Sequence, residues 1–210
     1  MEQKSNFPDS SDYHRVNPQK SGKIILILSC MFAGKTETLI THARRHILAR
    51  RNIVLIKYSK DIRYSLNEIC SHNQNTIQAT FSCSELNSIL ISETSETSEV
   101  YPVELQKADV VLIDEIQFFP DAPEFCEKLA NDGKIVIVAG LNGNYKREAF
   151  PVISQLIPIV EEIINLSAVC SKCGENAYFT KRIVKGSDLV ELIGGAESYQ
   201  PRCRKCFNEQ

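Results

Sequence analysis

Residues 24–36 read Ile-Ile-Leu-Ile-Leu-Ser-Cys-Met-Phe-Ala-Gly-Lys-Thr, an apolar run that enters a turn and ends in Gly34-Lys35-Thr36. This is the pattern of a phosphate cradle. Loop N–H groups and the exposed N–H groups at the start of a helix converge on one spot, and the helix dipole adds positive potential there. Ser29, Cys30, Met31, Phe32, Ala33 and Gly34 would line the loop. Lys35 can reach the β/γ-phosphates, and the Thr36 hydroxyl can ligate Mg²⁺. Ser29 stands where the pattern asks for Gly, a residue that takes the turn less freely. Leu39, Ala43 and Ile47 recur every four residues behind the loop, as a following helix requires.

Further apolar, β-branched runs at 53–56, 110–113 and 135–139 suit strands of a parallel sheet covered on both faces, with crossover helices between them. Asp121 with Glu124 three residues on resembles a capping box, and Asn131-Asp132-Gly133 marks the end of the helix that follows. Residues 92–99 are a polar, Ser/Thr/Glu-rich stretch expected in an exposed loop. The fold class that follows is α/β, a P-loop (RecA-like), mainly parallel sheet flanked by helices. Character changes near residue 167, which divides the chain into a polar tail (1–21), a P-loop domain (22–167) and a small C-terminal domain (168–210). The 210 residues are 43% hydrophobic with net charge −2, so no global basic field is present to hold nucleic acid. No apolar run approaches the roughly 18 residues of a membrane span, and no signal peptide is evident. A cytoplasmic location is expected, with the eight Cys reduced or metal-bound. Cys30, Cys70, Cys83 and Cys126 have no ligand spacing and read as buried or half-buried thiols.

Two more sites carry chemistry. Val110-Val-Leu-Ile113 ends in Asp114-Glu115. Asp114 fits the strand-end carboxylate that helps hold Mg²⁺ beside a P-loop, and Glu115 can take a proton from an attacking hydroxyl or water. Cys170-x-x-Cys173 and Cys203-x-x-Cys206 supply four thiolates in two pairs, as in a zinc ribbon. Residues 174–202 between the pairs exceed the usual spacing of roughly 15–20, so the metal would pin the base of a sizeable loop. Four Cys ligands leave no open position, and such zinc is structural.

These motifs occur in one order with Lys57-Tyr-Ser-Lys-Asp-Ile-Arg63, Asp114-Glu-Ile-Gln-Phe-Phe119, Gly140-Leu-Asn-Gly-Asn-Tyr-Lys-Arg147 and Ile193-Gly-Gly-Ala-Glu-Ser-Tyr199. Over residues 22–207 the chain closely resembles the cytosolic-type (type II) thymidine kinases. The resemblance implies ATP-dependent phosphorylation of thymidine for nucleotide salvage, with a zinc-anchored lasso loop closing over the nucleoside. It implies Glu115 as catalytic base, and Asp61, Arg63 and Gln117 beside the phosphate path. Met31, Phe118, Tyr145 and Tyr199 become thymidine-pocket residues, and Val190, Glu191, Leu192, Ile193 and Gly194 the lasso whose main chain holds the base. Taken singly, Met31, Phe118, Tyr145 and Arg63 read as core filling or solvated charge; the motif context reassigns them. Feedback inhibition by thymidine triphosphate and a homotetramer are also implied. Ser29-Cys30 replaces the family's common Gly-Pro, and Asn142 stands where the family usually has Asp. Cys206 lies four residues from the end, so the regulated C-terminal extension of some relatives is expected to be absent. The alternative reading is a P-loop ATPase module whose zinc ribbon grips nucleic acid or a protein partner. The near-neutral charge and the lack of a basic, aromatic-interleaved stripe stand against it, and Lys181, Arg182 and Lys185 form too small a patch to reverse that.

Overall fold

The computed structural model describes residues 21–61, 68–70, 75–92, 99–184 and 195–209. Six strands form one parallel sheet: β1 (Lys23–Ser29), β2 (Ile53–Tyr58), β3 (Phe81–Cys83), β4 (Val110–Ile113), β5 (Ile135–Leu141) and β6 (Glu162–Asn165). Their spatial order is β6-β1-β5-β4-β2-β3. The four apolar runs read from the sequence are the four inner strands. Val110, Val111, Leu112 and Ile113 are all at 0% exposure, as expected for a strand covered on both faces.

Alternate residues of β1 feed two cores. Ile25 and Ile27 face α1 (Lys35–Leu48), whose Leu39, Ile40 and Ala43 are buried. Ile24, Leu26 and Leu28 face α2 (Ala122–Asn131) and α3 (Pro151–Leu156), where Phe125, Leu129, Val152 and Leu156 pack. Each such side chain withdrawn from water contributes roughly 1.5–3 kcal/mol. Ile47, expected on the buried face of α1, is 49% exposed, and Ile40 takes that place.

Two local expectations change. Asp121 precedes α2 but makes no capping bond; its Oδ2 accepts the N–H of Asn87 at 2.7 Å instead. The helix ends as expected, with Gly133 at φ +81° and its N–H on the Ala130 carbonyl. Between β2 and β4 the described residues carry the edge strand β3, small antiparallel pairs and two short helical turns, Leu86–Ile89 and Val103–Lys107, without a long crossover helix. Of the polar stretch at 92–99, residues 93–98 lie outside the described residues.

After β6 the chain leaves the sheet. β7 (Ala168–Val169) pairs antiparallel with β8 (Asn176–Ala177), and β9 (Phe179–Arg182) with β10 (Tyr199–Arg202). The short helix α4 (Arg204–Asn208) follows. Among the described residues no helix is long and apolar enough to cross a membrane.

Candidate active site

β1 and β4 flank β5, so the loops beyond them converge over the carboxyl end of β5. Gly140 permits this approach: a Cβ there would lie 2.7 Å from Ile116 Cγ2 and 2.9 Å from Gln117 Oε1. The residues after β1 form the loop, and α1 starts at Lys35 as the pattern demands. Its left-handed positions are Phe32 (φ +64°) and Gly34 (φ +80°). Ser29 is the last residue of β1, extended and fully buried, and its hydroxyl donates to the Leu166 carbonyl at 2.6 Å. The turn that favours Gly therefore lies later in the loop than the sequence pattern suggests. Lys35 Nζ donates to the Cys30 carbonyl at 2.7 Å, folded over the loop it serves.

The Thr36 hydroxyl donates to Asp114 Oδ2 at 3.1 Å, joining the P-loop helix to the end of β4. Asp114 is buried. Burial first, then the Glu115 carboxylate and more weakly Asp61, push its carboxyl up to about 7. A divalent cation fits here, because it would offset the burial of that charge and accept the same two oxygens. Glu115 sits in left-handed backbone (φ +54°, ψ +42°), a conformation uncommon for a residue with a side chain. Such strain persists where surroundings over-determine it. Here Gln117, 4% exposed, supplies the constraint. Its Nε2 donates to Glu115 Oε2 at 2.6 Å, and its Oε1 accepts the Leu141 N–H at 3.1 Å. Gln117 thus ties Glu115 to the end of β5.

Beyond the acids lie aromatic groups. Phe118 stacks on Tyr58 at 5.1 Å between centroids and meets Phe150 edge-on at 6.3 Å. Asn144 Oδ1 accepts the N–H groups of Lys146 and Glu148, shaping the turn that presents Tyr145. The Arg182 guanidinium lies 3.8 Å from the Tyr145 ring centroid, and its Nη2 donates to the Tyr199 hydroxyl at 2.8 Å. Two of the expected pocket aromatics are therefore joined by one cation.

In the C-terminal ribbon the sulfurs of Cys170, Cys173, Cys203 and Cys206 lie within 4.8 Å of one another. Gly174 (φ +80°) turns one pair, and Cys203 Sγ accepts the Cys206 N–H in the other. Burial and then the neighbouring sulfurs push the Cys206 thiol up to about 12. A cluster of four close thiolates needs a cation at its centre, and this donor set suits zinc.

A sequence model of the thymidine kinase family ("TK: Thymidine kinase") matches residues 22–207. The chain is 42% identical over 186 residues to the cytosolic thymidine kinase of Gallus gallus, a match covering 89% of this chain and 77% of that one. It is 41% identical over 192 residues to the cytosolic thymidine kinase of Homo sapiens, covering 91% and 76%. To the thymidine kinase of Rabbit fibroma virus (strain Kasza) it is 40% identical over 188 residues, covering 89% and 96%.

The chain belongs to the thymidine kinase family.

Within this family member, the sequence-predicted residues fall into three groups. The loop residues 29–36, Asp114, Glu115 and Gln117 meet at the carboxyl ends of β1, β4 and β5. Asp61, after β2, is near enough to raise Asp114. Tyr145 and Tyr199 come together through Arg182, and Phe118 lies on the Tyr58 side. Arg63 and the lasso residues Val190, Glu191, Leu192, Ile193 and Gly194 lie outside the described residues. At the family's Asp position, the Asn142 N–H donates to the Ser29 carbonyl, and its amide reaches Tyr178 O at 3.5 Å. A carboxylate could not donate that second contact. Reading along the chain weighed Arg182 only as part of a charge patch and passed over Thr180. The available signal was their spacing of two along a strand, which puts both on one face.

Proposed function

We propose that this chain transfers the γ-phosphoryl group of ATP to the 5′-hydroxyl of thymidine, giving thymidine 5′-monophosphate for nucleotide salvage. The observation that carries the reading is Glu115, held in left-handed backbone by Gln117 beside the Asp114–Thr36 pair. The triphosphate would lie on residues 29–36. Glu115 takes the proton from the 5′-oxygen as that oxygen attacks the γ-phosphorus in line, and the bond from the γ-phosphorus to the β,γ-bridging oxygen breaks, releasing ADP. Lys35 draws away from the Cys30 carbonyl to meet the phosphate oxygens, and Arg63 stabilises the transferring group. Thr36 and Asp114 would hold Mg²⁺, which supplies charge neutralisation when bound. Positioning and electrostatics are the main catalytic contributions.

The nucleoside would sit among Met31, Phe118, Tyr145 and Tyr199, with main-chain groups of residues 190–194 on the base. Cys170, Cys173, Cys203 and Cys206 hold a structural zinc at the foot of that loop, and residue 167 divides the P-loop domain from the zinc domain. Thymidine triphosphate is the proposed feedback inhibitor, spanning both subsites. A cytoplasmic homotetramer is the proposed form. The relatives named cytosolic support the location.

The test is kcat/KM for three nucleosides, read as nucleoside-dependent ADP production. A pocket that hydrogen-bonds thymine rejects deoxycytidine by roughly 10³-fold or more. Deoxyuridine loses only a methyl, about 1 kcal/mol, and stays a substrate. Equal values for thymidine and deoxycytidine, or ADP production driven by DNA instead, would refute the assignment.

A further inference from the structure

Two elements that the sequence presents as separate sites touch in the fold. Thr180 lies on β9 of the cysteine ribbon and is 5% exposed. Its Oγ1 accepts the N–H of Met31, in the middle of the phosphate loop, at 3.0 Å. The neighbouring loop residue, Cys30, is fully buried, and its Sγ donates to the Ala177 carbonyl of β8 at 3.4 Å. Cys30 fills an apolar pocket walled by Ala168, Ala177 and two of the four clustered cysteines, Cys170 and Cys206. From the other side, Lys35 Nζ holds the Cys30 carbonyl.

The loop needs such support. Phe32 and Gly34 are both left-handed, and a side-chain-bearing residue in that region stores of order 1 kcal/mol or more. A loop of this shape relaxes unless outside contacts hold it. Here those contacts come from the ribbon, whose own turns are closed by the cysteine cluster.

We propose that the zinc ribbon is the clamp that holds the phosphate loop in its binding shape, with Thr180 as the positioning residue and Cys30 as the plug. The metal site and the nucleotide site are then energetically coupled. Coupling of two binding equilibria is reciprocal. Zinc raises nucleotide affinity, and bound nucleotide raises zinc affinity by the same factor. The inference rests on the reading that residues 29–36 bind nucleotide phosphates.

The experiment uses the full-length zinc-loaded protein. Zinc affinity is measured by equilibrium competition with a chromogenic chelator, with and without saturating MgADP, and ADP affinity is measured by titration calorimetry. Three proteins are compared: wild type, Thr180→Ser and Thr180→Val. Thr180→Val keeps the side-chain shape and removes the acceptor, while Thr180→Ser restores it. MgADP is expected to tighten zinc binding by roughly 3–10-fold in wild type and Thr180→Ser, the size of one hydrogen bond's net contribution. In Thr180→Val the tightening is lost and the ADP Kd rises by a similar roughly 3–10-fold. A purely structural Thr180 would lower stability without changing how zinc affinity answers to ADP. If ADP binds the wild type and zinc affinity is unchanged, the coupling is refuted and the nucleotide reading stands. If ADP does not bind the wild type, both fall. Should Thr180→Val fail to fold, the wild-type comparison decides alone.

Discussion

Asp114 should make the protein less stable as pH rises, and Asp114→Asn should remove that loss. The side chain is 8% exposed, and its carboxyl is lifted from 3.8 to about 7 by burial and by Glu115. In the unfolded chain the same group ionises near its ordinary value of about 3.9. The folded chain therefore keeps a proton between about pH 4 and pH 7 that the unfolded chain has released, so stability falls across that window and levels above it. Each pH unit in the window is worth about 1.4 kcal/mol. By pH 8 the ionised, buried carboxylate costs roughly 2–4 kcal/mol, allowing for the part shared with Glu115. At pH 5 the cost is only about 1 kcal/mol. Asn preserves the local contacts: its oxygen accepts the Glu115 N–H, and its amide donates to the Thr36 hydroxyl. In thermal melts without nucleotide or added divalent cation, Asp114→Asn should gain little at pH 5. By pH 8 it should gain roughly 4–16 °C over wild type, using about 2–4 °C per kcal/mol for a chain of this size. Zinc ligation also responds to pH but is common to both proteins and cancels in the difference. MgATP should then stabilise wild type strongly and Asp114→Asn weakly, because the cation's anionic partner has gone. An Asp114→Asn protein less stable than wild type at both pH values would refute the reasoning and make Asp114 a structural acceptor only.

Glu115→Gln should keep nucleotide and thymidine binding and lower turnover by roughly 10²–10⁴-fold, checked by binding titration and steady-state kinetics; near-normal turnover would place the base elsewhere. The cysteine cluster should hold about one zinc per chain by elemental analysis, and Cys203→Ser should release it and expose the ribbon to proteolysis; a zinc-free protein with a disulfide would overturn this. Ser29→Gly should lower stability by roughly 0.5–1.5 kcal/mol, because the half-buried Leu166 carbonyl loses its donor at 2.6 Å. Nucleotide affinity should change little in that variant, since Ser29 is extended strand; a large loss in calorimetry would show the hydroxyl contacting nucleotide.

The sequence by itself determined the features that depend on neighbouring residues. Unbroken apolar runs specified the inner parallel strands, because a strand buried on both faces cannot alternate polar and apolar residues. Gly34-Lys35-Thr36 after β1 specified a cradle at a helix start, and Asp114-Glu115 after β4 specified its acid partners. Two Cys-x-x-Cys pairs specified a four-sulfur cluster, since each pair shapes its own turn. What only the tertiary structure decided are contacts between residues far apart in the chain. The Ser29–Leu166 bond spans 137 residues and the Met31–Thr180 bond spans 149. Strand order and the docking of the ribbon create both, and no local pattern encodes either. The same holds for Asp121, whose carboxylate had a local helix end available and a distant Asn87 N–H within reach, and took the latter. Arg182 reads as one more surface charge until β9 and β10 pair and bring it between Tyr145 and Tyr199. Local propensity sets which elements form, and the packing of layers sets which side chains meet, because a hydrogen bond needs its partner within about 3 Å whatever the distance along the chain.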